Sequence, residues 1–516
     1  MNISLRNTIR WALIALAAPI FLIILLAVLL YLPPVQNWAV DCVADYASEK
    51  TGMQISVGRV NLEFPLDLGV EDFKMIKPND SLPQVRDTVA DVEKLVVSVQ
   101  LMPLLSRQVE IDQLELRGVN MNTTDFIHEA RVKGTVGLLS LSSHGIDWGK
   151  QTIIVDDALL SDANVSVELS DTVPPDTTKT PTYWKIHVEQ LNVDRTRAVV
   201  HMPGDTLQVD AYLGKAGVRE GTFDLYKNLY RVDNFELADG RIAYDNKFMT
   251  RSRDIIDPNH ILLSEVNLGI DSLSYAMETS ELKLVMRHCA LKERGGLQIA
   301  DIKGPLSMDS LKLKMPQLLL KTPSWLKAAV DMDLNAFSDS CPGRLSLRAN
   351  ASLGKRDLMR FMSGMPASFR RQWPDKPLTV NTILSGNLQR MRLRLLNLNL
   401  PSALKVDANG YLTNLTDTKR LGASINFKAS AANTQLITAL VGKENLGGAR
   451  IPNGISLSGN VKTGGNQVYL ADVTMREGGG TMKAKARFSM PNMAYSAKVS
   501  AAGMRIDHFM PTLGMK

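Results

Sequence analysis

The chain opens on an apolar run without a charged residue, Trp11 to Leu32 (WALIALAAPIFLIILLAVLLYL). Its 22 residues span about 33 Å as a helix, which matches a bilayer's hydrocarbon core of about 30 Å. The run is longer than the apolar core of a secretory signal peptide. It ends in Pro33-Pro34 with no small-residue cleavage pattern. Cys42 follows Asp41, not the small residue that lipidation needs. The pattern therefore predicts an uncleaved transmembrane anchor over 11–32. Arg6 and Arg10 precede it, and Asp41, Asp45 and Glu49 follow. By the positive-inside rule residues 1–10 are cytoplasmic and the bulk is translocated.

The period then changes twice. Over 33–52, apolar residues recur at Val35, Trp38, Ala39, Cys42, Val43, Tyr46 and Ala47. This spacing predicts an amphipathic helix stopped by Gly52, lying over a sheet end, at the membrane surface, or both. From Met53 the period is two. Ile55, Val57 and Val60-Leu62-Phe64 predict a short strand pair turning near Gly58. Leu95, Val97, Val99 and Leu101 alternate with Val96, Ser98 and Gln100, and Val109 and Ile111 resume the run after Pro103-Leu104-Leu105. Each such strand has one apolar and one polar face. A unit recurs at Ile111 (IDQLELRGVNM), Val155 (VDDALLSDANV) and Val232 (VDNFELADGRI), and more loosely at Leu470 (LADVTMREGGGTM). Gly118, Asp162 and Asp239-Gly240 occupy its turn position, where positive φ is cheap, which predicts hairpins added unit by unit.

These patterns divide the translocated part into a β region over 53–170, a Pro/Thr-rich linker over 171–182, a repetitive β region over 183–350, a basic helical insertion over 351–376, and a last β region over 377–516. Pro366 limits the insertion to two short helical turns. A further short helix is predicted at Thr434 to Val441. Short helices on a sheet cover edges that otherwise aggregate.

The formal net charge is +6. Residues 355–394 hold nine Lys/Arg and two acids, so the rest of the chain sums to about −1. A translocated chain does not meet nucleic acid. The basic segment, with Lys355, Arg356, Arg360, Arg370 and Arg371, suits lipid head groups or an acidic partner, or serves as a solvated face. The three cysteines, Cys42, Cys289 and Cys341, form no CxxC pair and no zinc spacing, and burial as small apolar residues is expected. No phosphate-binding loop or HExxH motif is present; His128-Glu129 has no second His at the right distance. Asp156-Asp157 would point to opposite faces of a strand. Nothing in these motifs calls for a catalytic residue, metal or cofactor.

The amphipathic stretch PPVQNWAVDCVADYASEKTG, the following ISVGRVNLEFPLDLGVEDFKM and VQLMPLLSRQVEIDQLELRGVNMNT (Val99 to Thr123) resemble the N-terminal region of the AsmA/TamB-like proteins. The tokens are Gly52, Val57-Gly58-Arg59-Val60, Phe64-Pro65-Leu66 and Glu71-Asp72. The resemblance covers about the first 125 residues. It implies a mostly β protein of the inner membrane and periplasm, with an N-terminal transmembrane helix. An elongated, curved, repetitive β-sheet would follow, forming a taco-like groove with a few short capping helices. It further implies phospholipid movement toward the outer membrane. The alternative is an assembly factor for outer-membrane proteins, working with an Omp85-type barrel or other envelope proteins. The C-terminal barrel-docking domain of TamB-type members has no clear counterpart here. By periodicity alone the apolar faces pack on each other as an ordinary sandwich core; the resemblance favours an open groove. On that reading Leu95, Val97, Val99, Leu101, Val109 and Ile111 line the groove for phospholipid acyl chains.

Overall fold

A computed structural model describes residues 32–510 apart from 64–66, 79–85, 100–110, 124–129, 148, 170–182, 203, 205, 252–256, 258, 339, 363–364, 418, 443–445 and 447–448. The predicted anchor therefore lies outside the described residues except for Leu32, as does the Pro/Thr-rich linker. Among the described residues no helix is long and apolar enough to cross a membrane.

Among the described residues the fold is mostly β, with 68% of them in strands, 25 strands in all, and only a few short helices. Contacts divide the chain into two units, and the division falls within β11 (His260–Ala276), unit 1 holding its residues to Val266 and unit 2 those from Asn267.

Unit 1 begins with α1 (Pro33–Thr51), whose end is set by Gly52 at φ 67°, its N–H donating to the Ser48 carbonyl at 2.9 Å. The helix packs on the first strands. Ala44 is buried, but Trp38, expected on the apolar side, is 67% exposed. The strands are β1 (Gln54–Ser56), β2 (Arg59–Glu63), β3 (Asp67–Pro78), β4 (Arg86–Val99), β5 (Ile111–Asn122), β6 (Ala130–Asp147), β7 (Thr152–Leu169), β8 (Lys185–His201), β9 (Leu207–Asp224) and β10 (Leu229–Asn246). The predicted β1–β2 hairpin is corrected: both strands pair side by side with β3. From β3 onward each strand pairs with the next, antiparallel except for β7 with β8, which run parallel. Parallel neighbours need a connection of a dozen or more residues, and 15 residues separate the end of β7 from the start of β8 in the sequence.

The repeated unit corrects a second expectation. Gly118, Asp162 and Asp239 do have positive φ, at 59°, 54° and 54°. They do not turn hairpins. Each lies inside one uninterrupted strand of 12 or 18 residues, far longer than the usual five or six. They are positive-φ kinks within the strand: pairing on either side keeps one register, so no residue is inserted against the neighbour. Across the kink apolar residues fall three apart, Leu116 to Val119 on β5 and Leu160 to Ala163 on β7. The earlier jump, Ile111 to Leu114, lies at a true bulge, where the β4–β5 register shifts between Ser98 and Val99. Register places the kinks side by side. Asp72, Glu93, Gly118, Gly137, Asp162, Arg195, Gly214 and Asp239 form a seam across β3 to β10. Opposite Asp162 and Asp239 stand Gly137 and Gly214, where an added Cβ would lie 2.9 and 2.8 Å from the aspartate Cβ. Only glycine leaves that room. The fourth copy, at Leu470, has no such kink; its glycines, Gly478 and Gly479, turn a true hairpin.

The seam is clamped on its polar side. Arg195 Nε and Nη2 donate to the two Asp162 carboxylate oxygens at 2.6 and 2.7 Å, and Ser161 Oγ donates to the same carboxylate. The Arg195 bond foremost, then that of Ser161, lowers the Asp162 pKa from 3.8 to about 2. A depressed carboxylate stabilises the fold above its unfolded pKa and loses that contribution as pH falls through its folded one. The window here runs from about 4 down to about 2. Titration of the Asp162 carboxyl carbon by NMR should give a midpoint near 2, and Arg195→Met should return it toward 3.8. A midpoint unmoved by Arg195→Met would refute the clamp.

Unit 2 contains β12 (Glu281–Glu293), β13 (Gln298–Ile299), β14 (Asp301–Met308), β15 (Lys312–Lys321), β16 (Trp325–Asp333), β17 (Leu345–Leu353), β18 (Leu378–Gly386), β19 (Arg390–Leu400), β20 (Leu404–Thr413), β21 (Gly422–Ala431), β22 (Ile455–Gly464), β23 (Val468–Glu477), β24 (Gly480–Ser489) and β25 (Ala494–Ala502). From β14 to β25 each pairs antiparallel with the next, and β12 pairs with both β13 and β14. The ladder is curved and unclosed. All nine residues of β25 are exposed.

Helices α2 (Lys355–Phe361), α3 (Ala367–Gln372) and α4 (Gln435–Val441) gather at the β19–β20 turn. Phe369, Trp373, Leu400, Ala403 and Leu436 form their buried core. Among the described residues, Leu400 is the one large side chain that is essentially fully buried. A last turn, α5 (Ile506–Phe509), follows β25, and the Phe509 carbonyl accepts from the Arg450 N–H at 2.7 Å. Cys289 is buried as expected, but Cys341 is exposed on a turn, where its neighbours are polar; both are free.

Candidate functional site

Residues directly opposite on adjacent strands share a face of the sheet, so the register maps each face. In unit 1, Val60, Val70, Leu95, Leu116, Leu139, Leu160, Val193, Ala216 and Leu237 stand in one row from β2 to β10. A second row is Leu68, Val97, Leu114, Leu141, Ala158, Leu191, Val218 and Phe235. Beyond the seam, Met75, Ala90, Met121, Gly134, Val165, Ala198, Ala211 and Ile242 make a third. None of these rows holds a charge. The bend presses two sets together on this face: Val92, Val119, Val136 and Ala163 pack against Leu95, Leu116, Leu139 and Leu160. The opposite face is ionic, with Lys74–Asp91 at 3.4 Å and Arg197–Asp210 at 2.8 Å.

Unit 2 repeats the arrangement without the seam. One row runs Met315, Val330, Leu347, Leu384, Leu393, Gly410, Ile425, Val461, Ala471, Ala486 and Ala497. Another runs Leu320, Leu326, Ala351, Val380, Leu398, Val406, Ala429, Leu457, Met475, Met482 and Ala501. On the other face the row from Lys327 reads Asn350, Asn381, Asn397, Asp407, Lys428, Ser458, Thr474, Lys483 and Ser500.

Among the described residues no second layer seals the apolar face of unit 2. In a sheet sandwich the inner side chains of both sheets interdigitate and are largely removed from water. Here Leu347, Leu384, Leu393, Ile425 and Val461 are only half-buried, and on β25 Tyr495 and Val499 are 84% and 55% exposed. The sandwich expectation therefore does not describe unit 2, whose sheet is groove-like.

Of the predicted lining residues, Leu95 and Val97 sit in the first and second apolar rows and are half-buried. Val99 pairs with Ile111 past a bulge; Ile111 is half-buried, and the Val99 side chain lies outside the described ones. Leu101 and Val109 lie outside the described residues. The sequence reading overlooked the copy of the repeat on β8, Val188, Leu191, Val193, Thr196 and Ala198, which the register sets beside that of β7. It also overlooked every row of unit 2, although a stretch such as Arg390 to Leu400 (RMRLRLLNLNL) alternates plainly.

The predicted basic residues lie on α2 and α3. Lys355 Nζ donates to Asp375 at 2.9 Å, and Arg360 is half-buried near Gly296. Arg356, Arg370 and Arg371 are exposed. Asp357 anchors α2: its Oδ2 accepts from Thr322 Oγ1, the Ser324 N–H and Ser324 Oγ at 2.7, 3.0 and 2.6 Å. Burial pushes this carboxyl up, but the bonds from Ser324 and Thr322 together outweigh it and leave its pKa below the usual value. Among the described residues no group of three or more His, Cys, Asp or Glu could hold a metal ion.

Together these features define an open-faced antiparallel β protein whose sheet is amphipathic across successive strands in each unit. No family model matches the chain, and neither a search of curated proteins nor one of solved structures finds a match.

Proposed function

We propose that the protein is a non-catalytic lipid conduit, anchored in an inner membrane by residues 11–32 with its N-terminus cytoplasmic and its bulk periplasmic. Phospholipid acyl chains lie on the apolar face and pass from strand to strand toward the outer membrane, while head groups stay in water. The observation that carries this reading is the continuity of the apolar rows, uncharged through β2–β10 in unit 1 and β15–β25 in unit 2. Each methylene moved from water onto such a surface gains up to about 0.8 kcal/mol, so a chain can slide where the lining is unbroken and stalls where it is not. The N-terminal resemblance to AsmA/TamB-like proteins agrees with it. Net flow requires a lipid gradient or a partner, since no nucleotide-binding motif is present in the sequence. The test is capture of lipid by photoreactive side chains on the two faces, with adducts expected on the apolar face alone.

A second reading, an assembly factor that adds a strand of an outer-membrane protein to its sheet edge, draws on β25, whose nine residues are all exposed. It predicts strand-dependent binding and no lipid adducts.

A further inference from the structure

The helical end of unit 2 has a surface that the lipid-conduit reading does not use. Helices α3 and α4 touch, Ser368 Oγ donating to the Ala439 carbonyl at 3.3 Å. With the segment at Arg450 and with α5 they enclose an open cleft of about 1340 Å³. At its lip Leu440 and Val441 are 49% and 41% exposed, and Met365 and Met510, next to the lining residue Pro366 and to α5, are 39% and 37% exposed. A short helical cap has no folding reason to present four large apolar side chains to water.

Among the described residues the charge left unpaired at this helical end is positive. Arg356, Arg370, Arg371, Lys376 and Arg450 are exposed, and none has an ion-pair partner among the described residues. The nearby acids are already engaged. Asp357 is bound by Thr322 and Ser324, Asp375 by Lys355, Asp507 by Arg505 at 2.8 Å, and Glu477 by His508 at 2.6 Å. Phe369 and Trp373, the aromatic anchors that a protein–protein hot spot would use, are instead buried in the cap's core. Exposed aliphatic and thioether side chains on the same helical end as unpaired arginines and a lysine are the composition of an interfacial membrane contact.

We propose that this helical end docks on an anionic bilayer, with Leu440, Val441, Met365 and Met510 entering the head-group boundary and the five cations meeting lipid phosphates. The docking goes beyond the conduit reading and does not depend on it: a cap can hold a bilayer whether or not lipid moves along the sheet.

The experiment uses the full chain reconstituted in phosphatidylcholine vesicles. Fluorescent acceptor vesicles, of phosphatidylcholine alone or with phosphatidylglycerol, are added and their capture is read by flotation. Capture of the anionic acceptors, lost at high salt, is expected. Arg370→Ser with Arg371→Ser should weaken it about fivefold for each charge removed, whereas the paired Lys substitutions should retain it, because a diffuse surface needs charge and not a planar fork. Leu440→Glu should weaken it as well. Hydrogen exchange on α3 and α4 verifies that each variant keeps the cap folded. Equal capture of neutral and anionic acceptors, or full capture by the folded Ser variant, would overturn the proposal. So would an acidic protein that binds this surface while anionic vesicles do not. Lipid transfer is not part of the readout, so failed transfer with intact capture counts against the conduit alone, and lost capture with intact transfer counts against the docking alone.

Discussion

Ile425→Glu is expected to slow lipid movement along unit 2 about fiftyfold while leaving the sheet folded. Ile425 stands in the apolar row between Gly410 and Val461 and is half-buried. A carboxylate there can reach water, so the fold tolerates it. An acyl chain crossing that point loses apolar contact over roughly three methylenes, about 2.4 kcal/mol or fiftyfold in rate. The control lies one residue away. Ser424 is on the other face, opposite Tyr411 and Lys462, so Ser424→Glu sits by a lysine and off the path. Fluorescent phospholipid transfer between vesicles measures both. Equal rates in the two variants would remove the apolar row from the mechanism.

Leu400→Ala is expected to destabilise the helical end of unit 2 by about 3 kcal/mol, the usual range for a buried leucine being about 2–5. Leu400 is 2% exposed at the end of β19 and packs with Phe369 and Trp373 of α3 and its cap, Ala403 of the β19–β20 turn and Leu436 of α4. The cavity cannot close without moving α3 or α4, each held to the sheet by few other buried groups. The loss should therefore be local. Hydrogen exchange should accelerate on α3 and α4 and stay unchanged on β23 and β24. A change below about 1 kcal/mol, or uniform acceleration through the unit, would mean that Leu400 is not what joins the cap to the sheet.

The strands were legible because alternation is local: each carries its two faces in its own sequence. Register was not, because it is decided between strands. The repeat at Ile111, Val155 and Val232 shows the limit. Its spacing and its positive-φ residues are real, yet a hairpin turn and a kink within a strand both demand a residue that tolerates positive φ. What separates them is whether apolar positions resume the same face beyond it. Leu116 to Val119 and Leu160 to Ala163 do, three residues apart. That jump of three is the kink's signature. The parallel pairing of β7 with β8 left no local trace. The basic segment could be counted from the sequence, but that Asp375 engages Lys355 while Arg370 and Arg371 stay exposed depends on the fold. The open face was the least legible feature. Alternation states which side is apolar and is silent on whether a second layer covers it.

The most direct measurement places a photoreactive side chain in the full chain at Val97, Ile425 or Val461 on the apolar rows, and at Asn426 or Asn381 on the polar face. After illumination in native membranes, mass spectrometry identifies what is bound. The conduit account predicts phospholipid adducts at all three apolar positions and none at the two asparagines. Adducts absent from the apolar rows, or equally abundant on both faces, would contradict it.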